Sequence, residues 1–270
     1  MSEANNQLKQ LLTIHVGRSS LSFARLDDDE QTITYEPYVV RSGVSMAANL
    51  REAFKGKSDL LLQTKSPRVR VLLDSNVLMV PIELFSEQTM EAMHRHAFPD
   101  DEQDSIFFNV LPYLNAVAVF SMSRDLKLVI DDHYQDVRLI TALLPVWRHM
   151  HQRSFTGTRY KLYGYFHEKR LEVFSFQKNR FKYCNSFEVA RSKDALYFLL
   201  YVWNQLQLQS KYDELYIVGD TPIEEEFVVE LKKYLENVYV VNPAVDFQHA
   251  PATEIKGMPY DLMTLFVKGR

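Results

Sequence analysis

Ile14-His15-Val16-Gly17-Arg18-Ser19-Ser20-Leu21-Ser22-Phe23 lies over Gly164-Tyr165-Phe166-His167-Glu168-Lys169-Arg170-Leu171-Glu172-Val173 at one constant offset of 150 positions. Each stretch is an apolar alternation, a polar turn and a second apolar alternation, the pattern of two antiparallel strands. Identity between them is almost nil, so it is the pattern that repeats. A third strand follows each pair, at residues 32–40 and 180–189, with Ile33 falling near Phe181. Helical spacing comes next in both: Met46, Leu50 and Phe54 after Ser45, and Leu196, Leu199, Leu200 and Trp203 after Ser192. The chain reads as two βββα-type halves.

Further elements fall in the first half. Residues 69–73 and 77–82 read as strands around the turn Asp74-Ser75-Asn76, and Ser86 is an N-cap for a helix to about Phe98, ended by Pro99. Residues 106–111 and 116–121 form hairpin strands. A helix starts from about Ser123, or else after a strand at 127–130. A long helical pattern follows at Val137, Ile140, Leu144 and Trp147, and fades at 151–158, where the halves 1–153 and 154–270 meet. In the second half, 215–218 is a short apolar strand of the kind a buried parallel sheet uses. Thr221-Pro222-Ile223-Glu224 is a capping box ahead of a helix through Phe227, Leu231 and Leu235, and 238–241 is a last strand.

Composition narrows the function classes. A net charge of −4 provides no global attraction for nucleic acid or an anionic membrane. With 8 glycines in 270 residues, there are few places where backbone can wrap a phosphate. Cys184 is the single cysteine, which excludes an intramolecular disulfide and implies a reducing, cytoplasmic setting. No stretch approaches the length of a membrane span, and residues 1–10 lack the apolar run of a signal peptide.

Two such halves in tandem, with elements inserted in the first, resemble the actin-like ATPase superfamily and its ribonuclease H-like, mixed sheets flanked by helices. Within it the chain is similar to the pilus-assembly and type II secretion proteins that keep this fold as cytoplasmic scaffolds, and to domain-of-unknown-function family 3822. The resemblance implies that chemistry would sit in two hairpins, each carrying an Asp-x-Gly-type motif whose glycine admits the phosphates and whose carboxylate organises the metal. The first hairpin has His15 and Gly17 at those positions, with Arg18, Ser19 and Ser20 as remaining anion donors. The second has Tyr165 and His167, so both signature residues are missing. The adenosine motif of the superfamily maps to Ile217-Val218-Gly219-Asp220, where one of two glycines survives.

Losing one preorganised donor typically costs about 10²–10³ in rate, and here two carboxylates and a glycine are absent together. The expectation is an inactive scaffold with no cofactor that binds an unidentified protein or itself; weak binding of ATP with Mg²⁺ is the residual possibility. The competing expectation is a divergent ATP-dependent enzyme whose carboxylates come from elsewhere, for example Asp74 or Asp220, provided both reach the cleft between the halves.

Other chemistry has plainer explanations. The pairs His94/His96 and His149/His151 sit two apart, so on a helix neither makes one metal face. Asp131-Asp132-His133 could bind a cation, but reads more simply as a polar loop. Cys184 has no adjacent base or glycine turn and reads as a buried, inert thiol. Bases and aromatics interleave through 159–183, as in single-strand binders, but also as on the two faces of a meander, so nucleic acid is not the expected partner. Residues 196–203 are apolar nearly all round, which core packing explains.

Overall fold

The computed structural model describes residues 11–26, 32–56, 60–61, 68–220 and 225–267. The opening meander is β1 (Leu12–Val16), β2 (Leu21–Leu26) and β3 (Ile33–Tyr38), followed by helix α1 (Met46–Lys55). Ser45 caps α1, its Oγ accepting from the Ala48 amide at 3.2 Å. β4 (Arg68–Leu73) then runs parallel to β1. Next come β5 (Val77–Pro81), α2 (Met90–Ala97), β6 (Ser105–Leu111), β7 (Ala116–Met122) and α3 (Arg124–Asp131), then β8 (Asp136–Thr141) and α4 (Leu143–Ser154). The second meander is β9 (Lys161–His167), β10 (Arg170–Gln177) and β11 (Arg180–Glu188). It leads to α5 (Ser192–Gln205), β12 (Glu214–Gly219), α6 (Glu225–Lys232), β13 (Val238–Val240), the short α7 (Pro243–Asp246) and α8 (Tyr260–Phe266).

Two five-stranded mixed sheets have the same plan, β3-β2-β1-β4-β8 and β11-β10-β9-β12-β13. In each, the meander is antiparallel and the two strands beyond its first member run parallel to it. A third sheet, β5-β7-β6, falls between β4 and β8 in the chain. β1 and β9 are buried along their whole length. An aromatic core gathers Trp147 of α4, Tyr163, Tyr165 and Phe174 of the second sheet, and Tyr260 of α8, against Ala116 and Ala118 of the third sheet. α8 also covers one face of the first sheet, where Leu262 packs with Ala24, Leu72 and Ile140. No helix among the described residues is long and apolar enough to cross a membrane.

Several expectations are corrected. Val137 and Ile140 belong to strand β8, not to a long helix; the three- and four-residue spacing ran across a strand–helix junction at Ala142. Ser86 accepts from the Gln88 amide within a turn, and helix α2 begins only at Met90. Ser192 is the first residue of α5 rather than its cap, which is Arg191, closed by Asp194. Tyr197 and Tyr201 are exposed while Ala195, Leu199, Val202 and Trp203 are buried, so α5 is amphipathic after all. The capping box at 221–224 and the charged turn at 27–30 lie outside the described residues.

Candidate functional site

The two hairpins face each other across a cleft of about 320 Å³ lined from both sheets and from α8. Every sequence-singled position of the two hairpins is at this place. His15, Gly17, Ser19, Ser20, Tyr165, His167 and Asp220 line it, as does Asp74. Arg18 stands at its edge, its Nε 3.7 Å from Asp74 and its Nη2 donating to Asn76 at 2.8 Å. Gly219 adjoins it with φ +87°, a value that favours glycine.

The positions that the resemblance matches to the signature residues are engaged in ion pairs and ring contacts. His15 lies on β1 of the first hairpin, and its Nε2 is 2.9 Å from Asp261 Oδ2 on α8. Burial opposes a proton on this ring, but the Asp261 carboxylate outweighs it and holds the pKa above the ordinary value. His167 ends β9, at the turn of the second hairpin. Its ring stacks on Tyr165, with 4.8 Å between centroids, and reaches Asp74 from Nδ1 at 3.2 Å and Glu172 from Nε2 at 3.3 Å. Burial again opposes the charge, yet the two carboxylates push the His167 pKa up to about 10. Asp74 answers in the other direction: burial would raise it, but His167 and Arg18 hold it below the usual carboxylate range.

One residue that sequence reasoning missed is Glu168. It lies at the tip of the β9–β10 turn, where Glu168 and Lys169 both have positive φ, 41° and 65°. Such a two-residue turn matches the twist of the strands but is usually built from Asn and Gly. Here it throws a carboxylate across the cleft into the first hairpin. Glu168 Oε2 accepts from the Ser19 amide at 2.7 Å, and Oε1 accepts from the Ser20 hydroxyl. A Cβ added at Gly17 would lie 2.1 Å from Glu168 Oε1, so the glycine that would admit a phosphate admits this side chain instead. The anion donors of the first hairpin are thus engaged by an anion of the chain itself. In this arrangement a phosphate placed against Ser19 and Ser20 would meet the Glu168 carboxylate.

Asp261 was also missed, because nothing local to residues 260–266 distinguishes it. The remaining candidates are held elsewhere. His149 Nε2 is 2.6 Å from Asp246, and His151 Nε2 is 3.0 Å from the Lys178 carbonyl, so the pair reaches two different partners. His94 is fully buried beside the Asn76 carbonyl while His96 is exposed. His133 Nδ1 donates to the Val129 carbonyl, and Asp131 pairs with Lys127. Burial pushes the Cys184 thiol up, away from reactivity. Among the described residues, no group of three or more His, Cys, Asp or Glu is placed to hold a metal ion.

Comparison with known proteins adds the family. A family model described as "Protein of unknown function (DUF3822)" matches residues 2–238. Among solved structures, the chain is similar to a Bacteroides thetaiotaomicron protein with actin-like ATPase fold and unknown function. That protein is 26% identical, with a TM-score of 0.82 over 92% of this chain and 97% of that one. A chain of the PilM–PilN type IV pilus biogenesis complex is 13% identical, with a TM-score of 0.55 over 96% and 97% of the two chains. The cytoplasmic domain of EpsL, an inner membrane component of the type II secretion system of Vibrio cholerae, is 13% identical over 88% and 92%. Its TM-score of 0.44 adds no argument. No curated protein matches the sequence. The fold is actin-like.

Proposed function

The chain belongs to the DUF3822 family of proteins of unknown function, and on that premise we propose that it is a catalytically inactive actin-like scaffold that binds another protein or itself. One observation carries this reading: Glu168 fills the first hairpin with a carboxylate bonded to Ser19 and Ser20. Phosphoryl transfer depends on gathering cations and amides around phosphate charge. An intramolecular carboxylate at that point competes with the phosphate for its donors and repels it.

The supporting chemistry is consistent. The superfamily's carboxylate positions hold His15 and Tyr165, and the ion pairs His15–Asp261 and His167–Asp74 tie the cleft walls together. In this reading the halves 1–153 and 154–270 act as lobes held shut and present a fixed outer surface. The PilM–PilN complex supports a protein partner by fold alone, and the single cysteine suits a reducing, cytoplasmic setting. Calorimetric titration with Mg·ATP and Mg·ADP, paired with a phosphate-release assay, tests the reading. No micromolar binding and no turnover are expected; micromolar binding with measurable hydrolysis overturns it.

A second reading has one observation in its favour, since Asp74 and Asp220 both line the cleft as a divergent ATP-dependent enzyme would need. Asp74 is committed to His167 and Arg18, which leaves Asp220 as the freer carboxylate. If that reading holds, nucleotide turnover is present and Asp220→Ala abolishes it.

A further inference from the structure

Arg70 of β4 and Arg138 of β8 are direct partners in the parallel register of the first sheet. Their side chains therefore leave the same face side by side. Leu72 and Ile140, two residues further along each strand, lie on that face beneath α8. The face is apolar under the helix and turns basic where the helix ends. Arg148 of α4 joins the two arginines around a pocket of about 390 Å³, which Leu144, Pro145, Gln152, Thr264 and Leu265 help to enclose. Among the described residues, no Asp or Glu lines it.

The carboxylates nearby are engaged with other cations. Asp136 pairs with Arg68, and Asp246 takes both His149 and Arg153. Among the described residues, none of Arg70, Arg138 and Arg148 has a carboxylate at ion-pair distance. The Arg148 guanidinium carbon lies 5.8 Å from the centre of the Tyr113 ring, and among the described residues the buried Arg70 Nε has no hydrogen-bond partner. Burial and the charges of Arg138 and Arg148 bring the Arg70 pKa down to about 10. Three guanidiniums repel one another when gathered this way, and a folded protein tolerates the arrangement at a cost in stability.

We infer that this pocket binds a phosphate monoester, its phosphoryl group among the three guanidiniums and a small apolar body against Leu144, Pro145 and Leu265. The planar fork of arginine matches phosphate oxygens in pairs, and a dianion offsets three positive charges better than a single carboxylate does. The pocket lies at the start of β4, whereas Asp74 and the inter-lobe cleft lie just past its end. The two are about 13 Å apart along the strand and share no lining residue.

The test is calorimetric titration of the full chain with phenyl phosphate, inorganic phosphate and benzoate at fixed ionic strength. Phenyl phosphate binds saturably and most tightly of the three. The double variant Arg138→Gln/Arg148→Gln, altered at two exposed positions, weakens it by about tenfold or more, as loss of charge-assisted contacts does. Arg68→Gln, whose guanidinium is paired with Asp136, leaves affinity unchanged. No saturable heat, equal affinity in the double variant, or an equal loss in Arg68→Gln overturns the assignment. Repeating the nucleotide titrations in the double variant separates any triphosphate held here from one held in the cleft.

Discussion

His15 Nε2 lies 2.9 Å from Asp261 Oδ2, joining the first strand to the last described helix across 246 positions of sequence. Both side chains are buried. Removing one partner of such a pair leaves an uncompensated charge, at a cost of about 3–5 kcal/mol. Asp261→Asn therefore destabilises the protein in urea titration, and the His15 ring, left with burial as the dominant influence, titrates at lower pH by NMR. An unmoved His15 titration would remove Asp261 from this role.

Glu168→Ala empties the first hairpin. The bonds to Ser19 and Ser20 are lost, with an expected cost of about 1–3 kcal/mol. The freed donors then take an external anion. In the Arg138→Gln/Arg148→Gln background, sulfate raises the melting temperature of the Glu168→Ala chain and not that of its Glu168 parent. Equal sulfate responses would show that Glu168 does not occupy an anion site.

The pH dependence follows from His167. Its folded pKa, about 10, stands above the ordinary 6.5. The stabilisation is fully present below the unfolded value and is lost as pH rises through the folded one. Asp74 works in the opposite sense, with a lowered pKa, so its contribution is present above the usual carboxylate value and lost as pH falls. Chemical denaturation of wild type and His167→Gln checks this. The gap between them is widest in the mildly acidic range, above the ordinary carboxylate value and below the ordinary histidine one, and narrows steadily from there towards pH 10, so a gap that stays flat as pH rises contradicts the pairing.

Two glycines separate by what their Cβ would strike. At Gly219 it would meet the Phe166 carbonyl at 2.2 Å, in a backbone with φ +87°. Neither can yield cheaply, and Gly219→Ala is expected to cost about 2–4 kcal/mol. At Gly17 the obstacles are the ends of Glu168 and Ser20, which can swing away. Gly17→Ala thus acts by expelling Glu168, and its effect on stability is less than additive with Glu168→Ala in a double-mutant cycle.

Much of the fold was legible because its strands are short, alternating and separated by polar turns. Residues 11–26 and 161–177 are examples, and so is the helical spacing of Met46, Leu50 and Phe54. Strand β8 was not, since Val137 and Ile140 happen to continue the spacing of Leu144 and Trp147 in the helix behind them. The site was half visible. His15, Gly17 and His167 stand out by their place in the hairpins. Glu168 looked like an ordinary turn residue, because what matters is where a left-handed turn aims its side chain. Asp261 could not be paired with His15 from sequence, for only the tertiary fold brings α8 to the first sheet.

That return of α8 sets an order of events during synthesis. The strand carrying Ile140 is complete about 120 residues before Leu262, which must lie on it, has been made. At ribosomal speeds this interval is roughly ten seconds. For that time a greasy surface of the nascent first lobe stays bare, open to chaperones or to misassembly with neighbouring chains.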